Sequence, residues 1–297
     1  MAGSHNDLGN LLDDLGRRDE AEKAYRAALV LQMKLVEQFP ALPDYRRDLA
    51  RSHNNLGNLL ANLGRRDEAE KEYRTSLALY EKLAEQFPSL PDYAVELGSG
   101  YSNFGALVRG QGHPAAALPW FDKAIARLEP VLAKDGRLAT ARRGLHNAHG
   151  NRAWALMQLN RHAEAVRDWD RAIELDEGSM RNGFRLQRAI SLAHAGEHAR
   201  AVVEANALTE GKEVPGPTLY DAACVCALAA ASVKDDAKLS EQYVGRAVAL
   251  LRQAHKAGYF KQPANIAHMK KDSALRALRA RPDYRDLLKE LETPAKP

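Results

Sequence analysis

The stretch Asn6–Arg26 reads NDLGNLLDDLGRRDEAEKAYR, and about 48 residues later Asn54–Arg74 reads NNLGNLLANLGRRDEAEKEYR. Aligned without a gap, residues 6–53 and 54–101 agree at roughly 30 of about 48 positions. A chain that repeats one unit is constrained before any other feature is considered. Each copy has to bury its apolar surface against its neighbours, because a single short unit has too little core of its own. Weaker copies follow at Ser102 (SNFGALVRGQGHPAAALPWFDKAIARLEP), Gly150 (GNRAWALMQLNRHAEAVRDWDRAIELD) and Phe184 (FRLQRAISLAHAGEHARAVVEANAL). A sixth, YDAACVCALAAAS then LSEQYVGRAVALL, carries an insertion at Val233–Lys238. The later copies are spaced by about 35 residues.

Within one copy the apolar period is helical. Tyr45, Leu49, Leu56, Leu60 and Leu63 share one face of a helix that opens at Pro43–Asp44, with proline in the first turn. Gly64 ends it. A second helix begins near Asp67, its acidic first turn matching the helix dipole. Ala69, Tyr73, Leu77, Tyr80, Leu83 and Phe87 form its stripe, and Pro88 stops it. Each unit is therefore a helical hairpin, and stacked hairpins make an all-α solenoid. About six units are expected over 1–262, starting near 6, 54, 102, 150, 184 and 220. Residues 263–297 are expected to form capping helices and a short tail.

Bulk properties exclude several functions. The 43 basic and 39 acidic residues are interspersed and leave a net charge of +4, so no clustered basic patch for nucleic acid is expected. The longest apolar run, around Ala222–Ala231, is too short and too weakly apolar to span a bilayer. The N-terminus lacks a secretion signal, and two cysteines make no disulfide framework. A soluble, cytoplasmic protein is expected, with no nucleic acid or membrane partner; its oligomeric state is left open, a monomer being favoured.

The small and aromatic residues follow a known pattern. Leu8, Gly9, Leu12, Gly16, Ala21, Tyr25 and Ala28, then Leu56, Gly57, Leu60, Gly64, Ala69 and Tyr73, resemble the tetratricopeptide repeat (TPR). Phe104, Gly105, Val108, Ala117, Phe121 and Ala124 continue the pattern, as do Ala153, Leu156, Ala165, Trp169 and Ala172. The resemblance covers roughly Asn6–Ala257 and implies a right-handed superhelical solenoid of antiparallel helix hairpins. The first three copies exceed the family's usual length and resemble the extended repeats of kinesin light chain. The wording GRRDEAE…YR…FP…PDYRRDLA and the C-terminal tail are similar to arrays that follow Ser/Thr kinase domains in planctomycete bacteria. No kinase motif is present in this chain. Because Ser4-His5-Asn6 lines up with Ser52-His53-Asn54, the chain opens in mid-repeat. That suggests a piece of a longer protein with Met1–Gly3 added.

Asparagine recurs on the first helices: Asn6, Asn10, Asn54, Asn55, Asn58, Asn103 and Asn151. In this fold the resemblance places first helices on the concave groove, where Asn amides can donate to and accept from a peptide backbone. Arg51, His53, Arg152 and Trp154 could add charged and aromatic contacts. The same amides could instead bridge adjacent helices. Other patterns carry less. His194-Ala-Gly-Glu-His198 fits H-x-x-E-H, but Gly196 falls at an inter-helix turn, which breaks the single helical face a zinc site needs. No carboxylate or cysteine stands near His146 and His149 in the sequence to complete a metal site with them, and Cys224 and Cys226 fall on different helix faces. The Arg17-Arg18 and Arg65-Arg66 pairs are expected to stay solvated in turns. No catalytic residue, metal or cofactor is expected. The reading is a non-enzymatic protein–protein interaction scaffold that binds an extended peptide or partner protein. The alternative is a regulatory or oligomerising C-terminal segment of a bacterial Ser/Thr kinase.

Overall fold

The computed structural model describes residues 2–178, 180–211, 213–233 and 235–292. Helices and the turns between them make up the described residues, with no strand among them. The chain divides into two compact units, residues 1–159 and 160–297. The tail expected beyond residue 292 lies outside the described residues.

The N-terminal unit holds α1 (Ala2–Asp14), α2 (Arg18–Gln38), α3 (Pro43–Asn62), α4 (Arg66–Gln86), α5 (Pro91–Gly110), α6 (Pro114–Lys134) and α7 (Ala139–Gln158). α1–α2, α3–α4 and α5–α6 are antiparallel hairpins. α2 also packs on α3, α4 on α5 and α6 on α7, while α1, α3, α5 and α7 touch in succession. First helices thus form one layer and second helices lie behind it.

Local chemistry sets these boundaries. Gly16, Gly64 and Gly112 adopt φ of 74°, 76° and 89°, a left-handed conformation that a Cβ makes costly. Each turn is closed by an amide reaching back five residues: Arg17 N–H to Leu12 C=O at 2.8 Å, Arg65 to Leu60 at 2.9 Å, His113 to Val108 at 3.2 Å. That bond satisfies a carbonyl the ending helix would otherwise orphan. Pro43, Pro91 and Pro114 occupy the first turn of the following helices, where a missing N–H costs nothing. Phe39–Tyr45 and Phe87–Tyr93 ring pairs, with centroids 5.8 and 5.7 Å apart, tie the ends of second helices to the next first helix.

Inside each hairpin one contact recurs. A Cβ added to Gly57 would lie 2.9 Å from the Tyr73 ring. At Gly9 it would lie 2.5 Å from Tyr25, and at Gly105 2.7 Å from Phe121. The ring of each second helix therefore rests on bare backbone of its first helix. Tyr25, Tyr73 and Phe121 are buried, as are Ala21, Ala69 and Ala117 one turn earlier. The stripe read from the sequence is buried at Leu49, Leu56, Leu60, Ala69, Tyr73, Leu77, Tyr80 and Leu83. Leu59, outside that stripe, is buried too.

The C-terminal unit holds α8 (His162–Leu175), α9 (Arg181–His194), α10 (His198–Leu208), α11 (Gly216–Ser232), α12 (Ala237–Lys256), α13 (Pro263–Lys271) and α14 (Pro282–Glu292), with 3₁₀ turns at Tyr259–Lys261 and Ser273–Leu278. Gly196, at φ 83°, makes the α9–α10 turn. Ala-rich α11 is buried almost all round. Phe260, Met269, Leu275, Leu278, Tyr284 and Leu287 from the segment after α12 join its core. Asp272 anchors that segment: its carboxylate accepts from the Tyr220 hydroxyl at 2.8 Å and from the Ala274 amide at 2.9 Å. Burial pushes the neighbouring Asp221 carboxyl up to about 6, helped by the charge of Asp272 and opposed by His268.

Two outcomes follow from this packing. Tyr73→Ala removes a buried ring that fills the hairpin, and the urea midpoint is expected to report a loss of about 3 kcal/mol. For Asp221, the folded carboxyl holds a proton that the unfolded one lacks between about pH 4 and 6. Its contribution to stability therefore falls as pH rises through that window. Asp221→Asn is expected to be more stable than the parent at pH 7, with the gain vanishing by about pH 4, in urea melts recorded at both values.

Candidate functional site on the first-helix layer

The exposed side of the first-helix layer in the N-terminal unit carries two hollows. The first, about 370 Å³, is lined by Arg47 and Arg51 of α3, Asp92, Glu96 and Ser99 of α5, and Arg143 and Asn147 of α7, among others. These are equivalent positions of successive copies. Arg51, Ser99 and Asn147 are spaced by 48 residues, as are Arg47, Val95 and Arg143. The second hollow, about 530 Å³, is lined by Asn58, Ala61 and Asn62 of α3 and by Asn103, Ala106 and Gly110 of α5, with Tyr73 and Arg66 of α4. A period of three and four residues along each first helix puts both on one face.

Charge in the first hollow is mixed. Arg47 pairs with Asp44 at 3.1 Å and Arg51 with Asp48 at 3.3 Å. Burial raises the Glu96 carboxyl above its ordinary range; Arg51 and Arg47 draw it down, and Asp92 pushes it up. Basic and acidic groups thus meet across three repeats, so the hollow offers both donors and acceptors.

The asparagines form cross-repeat bonds. Asn55 Nδ2 donates to Asn10 Oδ1 at 3.1 Å and to Asn6 Oδ1 at 3.3 Å, joining α3 to α1. Ser52 Oγ also donates to Asn6 Oδ1, at 3.0 Å. Asn103 Nδ2 donates to Asn54 Oδ1 at 3.1 Å, joining α5 to α3. Within hairpins, the Tyr25 hydroxyl donates to Asn10 Oδ1 at 2.8 Å and the Tyr73 hydroxyl to Asn58 Oδ1 at 2.6 Å. Bridging is thus what these oxygens do in the structure. Asn6 is 1 % exposed, which withdraws it from any surface a partner could reach. Asn54, Asn55, Asn58 and Asn103 are half-buried on the layer's face, and Asn10 is exposed.

Further along, Arg152 reaches Asp122 of α6 at 2.6 Å, Asn151 is half-buried, and Trp154 is 36 % exposed on α7. His53 meets Glu72 of α4 at 2.5 Å and so points to its own hairpin. Sequence reading selected Arg51 but passed over Arg47, Glu96, Arg143 and Asn147. The recurrence of positions 47, 48 and 51 at 48-residue spacing is the signal that would have found them.

The remaining motifs resolve differently. His194 and His198 flank the Gly196 bend; His194 stacks on His162 with centroids 4.4 Å apart, and burial lowers the pKa of both. Cys224 and Cys226 are buried, and burial pushes the Cys226 thiol up to about 11. His146 and His149 are buried in α7. The turn arginines do more than face solvent. Arg17 forks onto Glu20, and Arg65 forks onto Glu68 and also reaches Glu22 of the preceding repeat at 2.6 Å. Among the described residues no helix is long and apolar enough to cross a membrane.

Comparison with known proteins gives the fold a family context. Profiles of the tetratricopeptide repeat match residues 2–32, 49–88 and 146–179. No curated protein matches the chain. Among solved structures, BtubC (BKLC) from P. vanneervenii is 17 % identical with a TM-score of 0.53, over 82 % of this chain and 91 % of that one. The apo form of RapI is 13 % identical with a TM-score of 0.56, over 96 % and 75 %. Nro1, described as a hypoxic regulator of sterol synthesis and a nuclear import adaptor, is 12 % identical with a TM-score of 0.55, over 86 % and 88 %. At these identities the likeness is one of fold. The chain is an all-α solenoid that carries tetratricopeptide repeats in the three matched segments.

Proposed function

We propose that the protein is a non-enzymatic scaffold that holds an extended segment of a partner protein along the first-helix layer of residues 1–159. The tetratricopeptide fold supports a protein–protein interaction role at the coarse level. The finer reading rests on one observation: two adjacent hollows on that layer, both lined by polar side chains from successive repeats. Repeats in register present their polar groups at regular intervals, as an extended backbone presents its amides and carbonyls. Asn58 and Asn103 retain amide donors or carbonyl acceptors beyond the bonds they make to Tyr73 and Asn54. Arg51, Glu96, Arg143 and Asn147 would meet the partner's polar side chains. Because the layer is preassembled by helix packing, the ordering cost of binding falls mainly on the partner.

Asn54 and Asn103 bond to each other, so removing both leaves no orphaned group. Asn54→Ala/Asn103→Ala is therefore expected to change stability by less than about 1 kcal/mol. Its affinity for a partner captured by the immobilised chain should fall about ten- to thirty-fold, read by titration calorimetry. Lys71→Ala, exposed on α4, should bind as the parent does. Equal affinity for the double variant and the parent would move the binding surface off the first-helix layer.

A further inference from the structure

We propose that the hollow beside the C-terminal half of α12 is a binding site for a small organic anion, a phosphate monoester or carboxylate carried on an apolar body. The hollow measures about 660 Å³ and belongs wholly to the C-terminal unit. Its origin is a mismatch in helix length. In the N-terminal unit the second helices α2, α4 and α6 each have 21 residues. In the C-terminal unit α10 has 11 residues and α12 has 20, and both pack on α11. Arg246 of α12 bonds to Asn206 in the last turn of α10 and to Thr209 just past it. α12 then runs on for about three more turns, to Lys256, after α10 has ended. Residues of the connection 209–215, longer than the connections 39–42 and 87–90, line the space so left, together with the start of α11.

The lining combines apolar and cationic groups. Val214, Pro215, Leu219 and Ala257 supply the apolar part, and Arg246, Gln253 and Lys256 supply donors. Arg246 is held in place: its Nε donates to Asn206 Oδ1 at 2.8 Å and one amino group donates to Thr209 Oγ1 at 3.0 Å. Both acceptors are neutral, so these bonds orient the guanidinium without cancelling its charge. Other half-buried arginines of this unit sit against carboxylates. Arg185 and Arg188 share Glu204, and Arg281 pairs with Glu241 and Asp283. Among the described residues no carboxylate lies within ion-pair distance of Arg246 or Lys256. The charge of Arg246 is felt in the core, where it opposes the rise that burial imposes on the Cys226 thiol.

A half-buried cation without a counter-ion carries a desolvation cost that an anionic ligand offsets. A guanidinium has five N–H donors, of which Asn206 and Thr209 take two, so three remain for the oxygens of a phosphate or carboxylate. Glu213 also lines the hollow, but it is exposed while Arg246 is half-buried, so water screens the acid more than the guanidinium. With Lys256 the lining keeps one positive charge in excess. Its volume falls in the range of small-molecule sites, roughly 300–1,000 Å³. Packing fixes the start of α11, because a Cβ added to Gly216 would lie 2.7 Å from Tyr259. The hollow is therefore formed before any ligand arrives, which lowers the ordering cost of binding. It lies in the other unit from the two hollows on the first-helix layer, so its fate does not decide the function proposed above.

The test uses the full chain and titration calorimetry with probes that share one apolar body: naphthyl phosphate, naphthalene carboxylate and the neutral naphthalenemethanol. Saturable binding of at least one anion is expected, at least about tenfold tighter than that of the alcohol. The ratio between the phosphate and the carboxylate then identifies the head group that the site prefers. Arg246→Gln should weaken the preferred anion at least about tenfold. Lys256→Glu, at an exposed position, should weaken it about three- to tenfold with an unchanged thermal melt, which gives a reading that does not depend on how Arg246→Gln folds. No saturable binding of either anion up to about 5 mM would overturn the proposal. So would a neutral alcohol that binds as tightly as the anions, or anion affinity indifferent to both substitutions.

Discussion

The N-terminal unit depends on an aromatic ring lying against a glycine. With no Cβ at Gly9, Gly57 or Gly105, the rings of Tyr25, Tyr73 and Phe121 approach their first helices to within a distance no other residue allows. The ring fills the gap with dispersion contacts and removes a large apolar area from water. It also fixes the distance between the two helices of each hairpin. Because the same pair recurs at 48-residue spacing, successive hairpins have the same thickness and stack in register. The common face of α1, α3, α5 and α7 is a consequence of that regularity.

Polar bonds act on top of this packing. The tyrosine that rests on Gly57 also donates its hydroxyl to Asn58, and Tyr25 does the same to Asn10. The ring contact and the layer's surface are therefore linked through one side chain. Asn55 to Asn10 then ties α3 to α1, and Asn103 to Asn54 ties α5 to α3. An amide has one acceptor and one donor group, so bridging and partner binding are compatible at half-buried positions and incompatible at Asn6, which has no exposed side.

Much of this was legible because the repeat displays it twice. Gly16 and Gly64, the aromatic positions and the helix-opening prolines are local signals, readable from neighbours within four or five residues. What the sequence concealed involves partners far apart in the chain. Ser52 and Asn55 reach Asn6 from 46 and 49 residues away, and Arg65 reaches Glu22 from 43. Leu59 lies off the stripe read for its own hairpin and is fully buried nonetheless. The fourth turn carries Asn160 at φ 57° in the left-handed position that Gly fills in the first three, a substitution asparagine tolerates better than other side chains. The hollow at Arg47, Glu96 and Asn147 needed a comparison of three copies at once, including the least similar of them.

The claim that ring and glycine act as one unit is tested most directly by a double-mutant cycle on Gly57 and Tyr73. Gly57→Ala forces a methyl to within 2.9 Å of the ring, while Tyr73→Leu leaves room for it. The urea stabilities of the parent, the two single variants and the double variant give the coupling between the sites. The account expects the double variant to be more stable than the sum of the single losses allows, by about 1–2 kcal/mol. Losses that add within about 0.3 kcal/mol would contradict it, because the glycine would then be incidental to the ring.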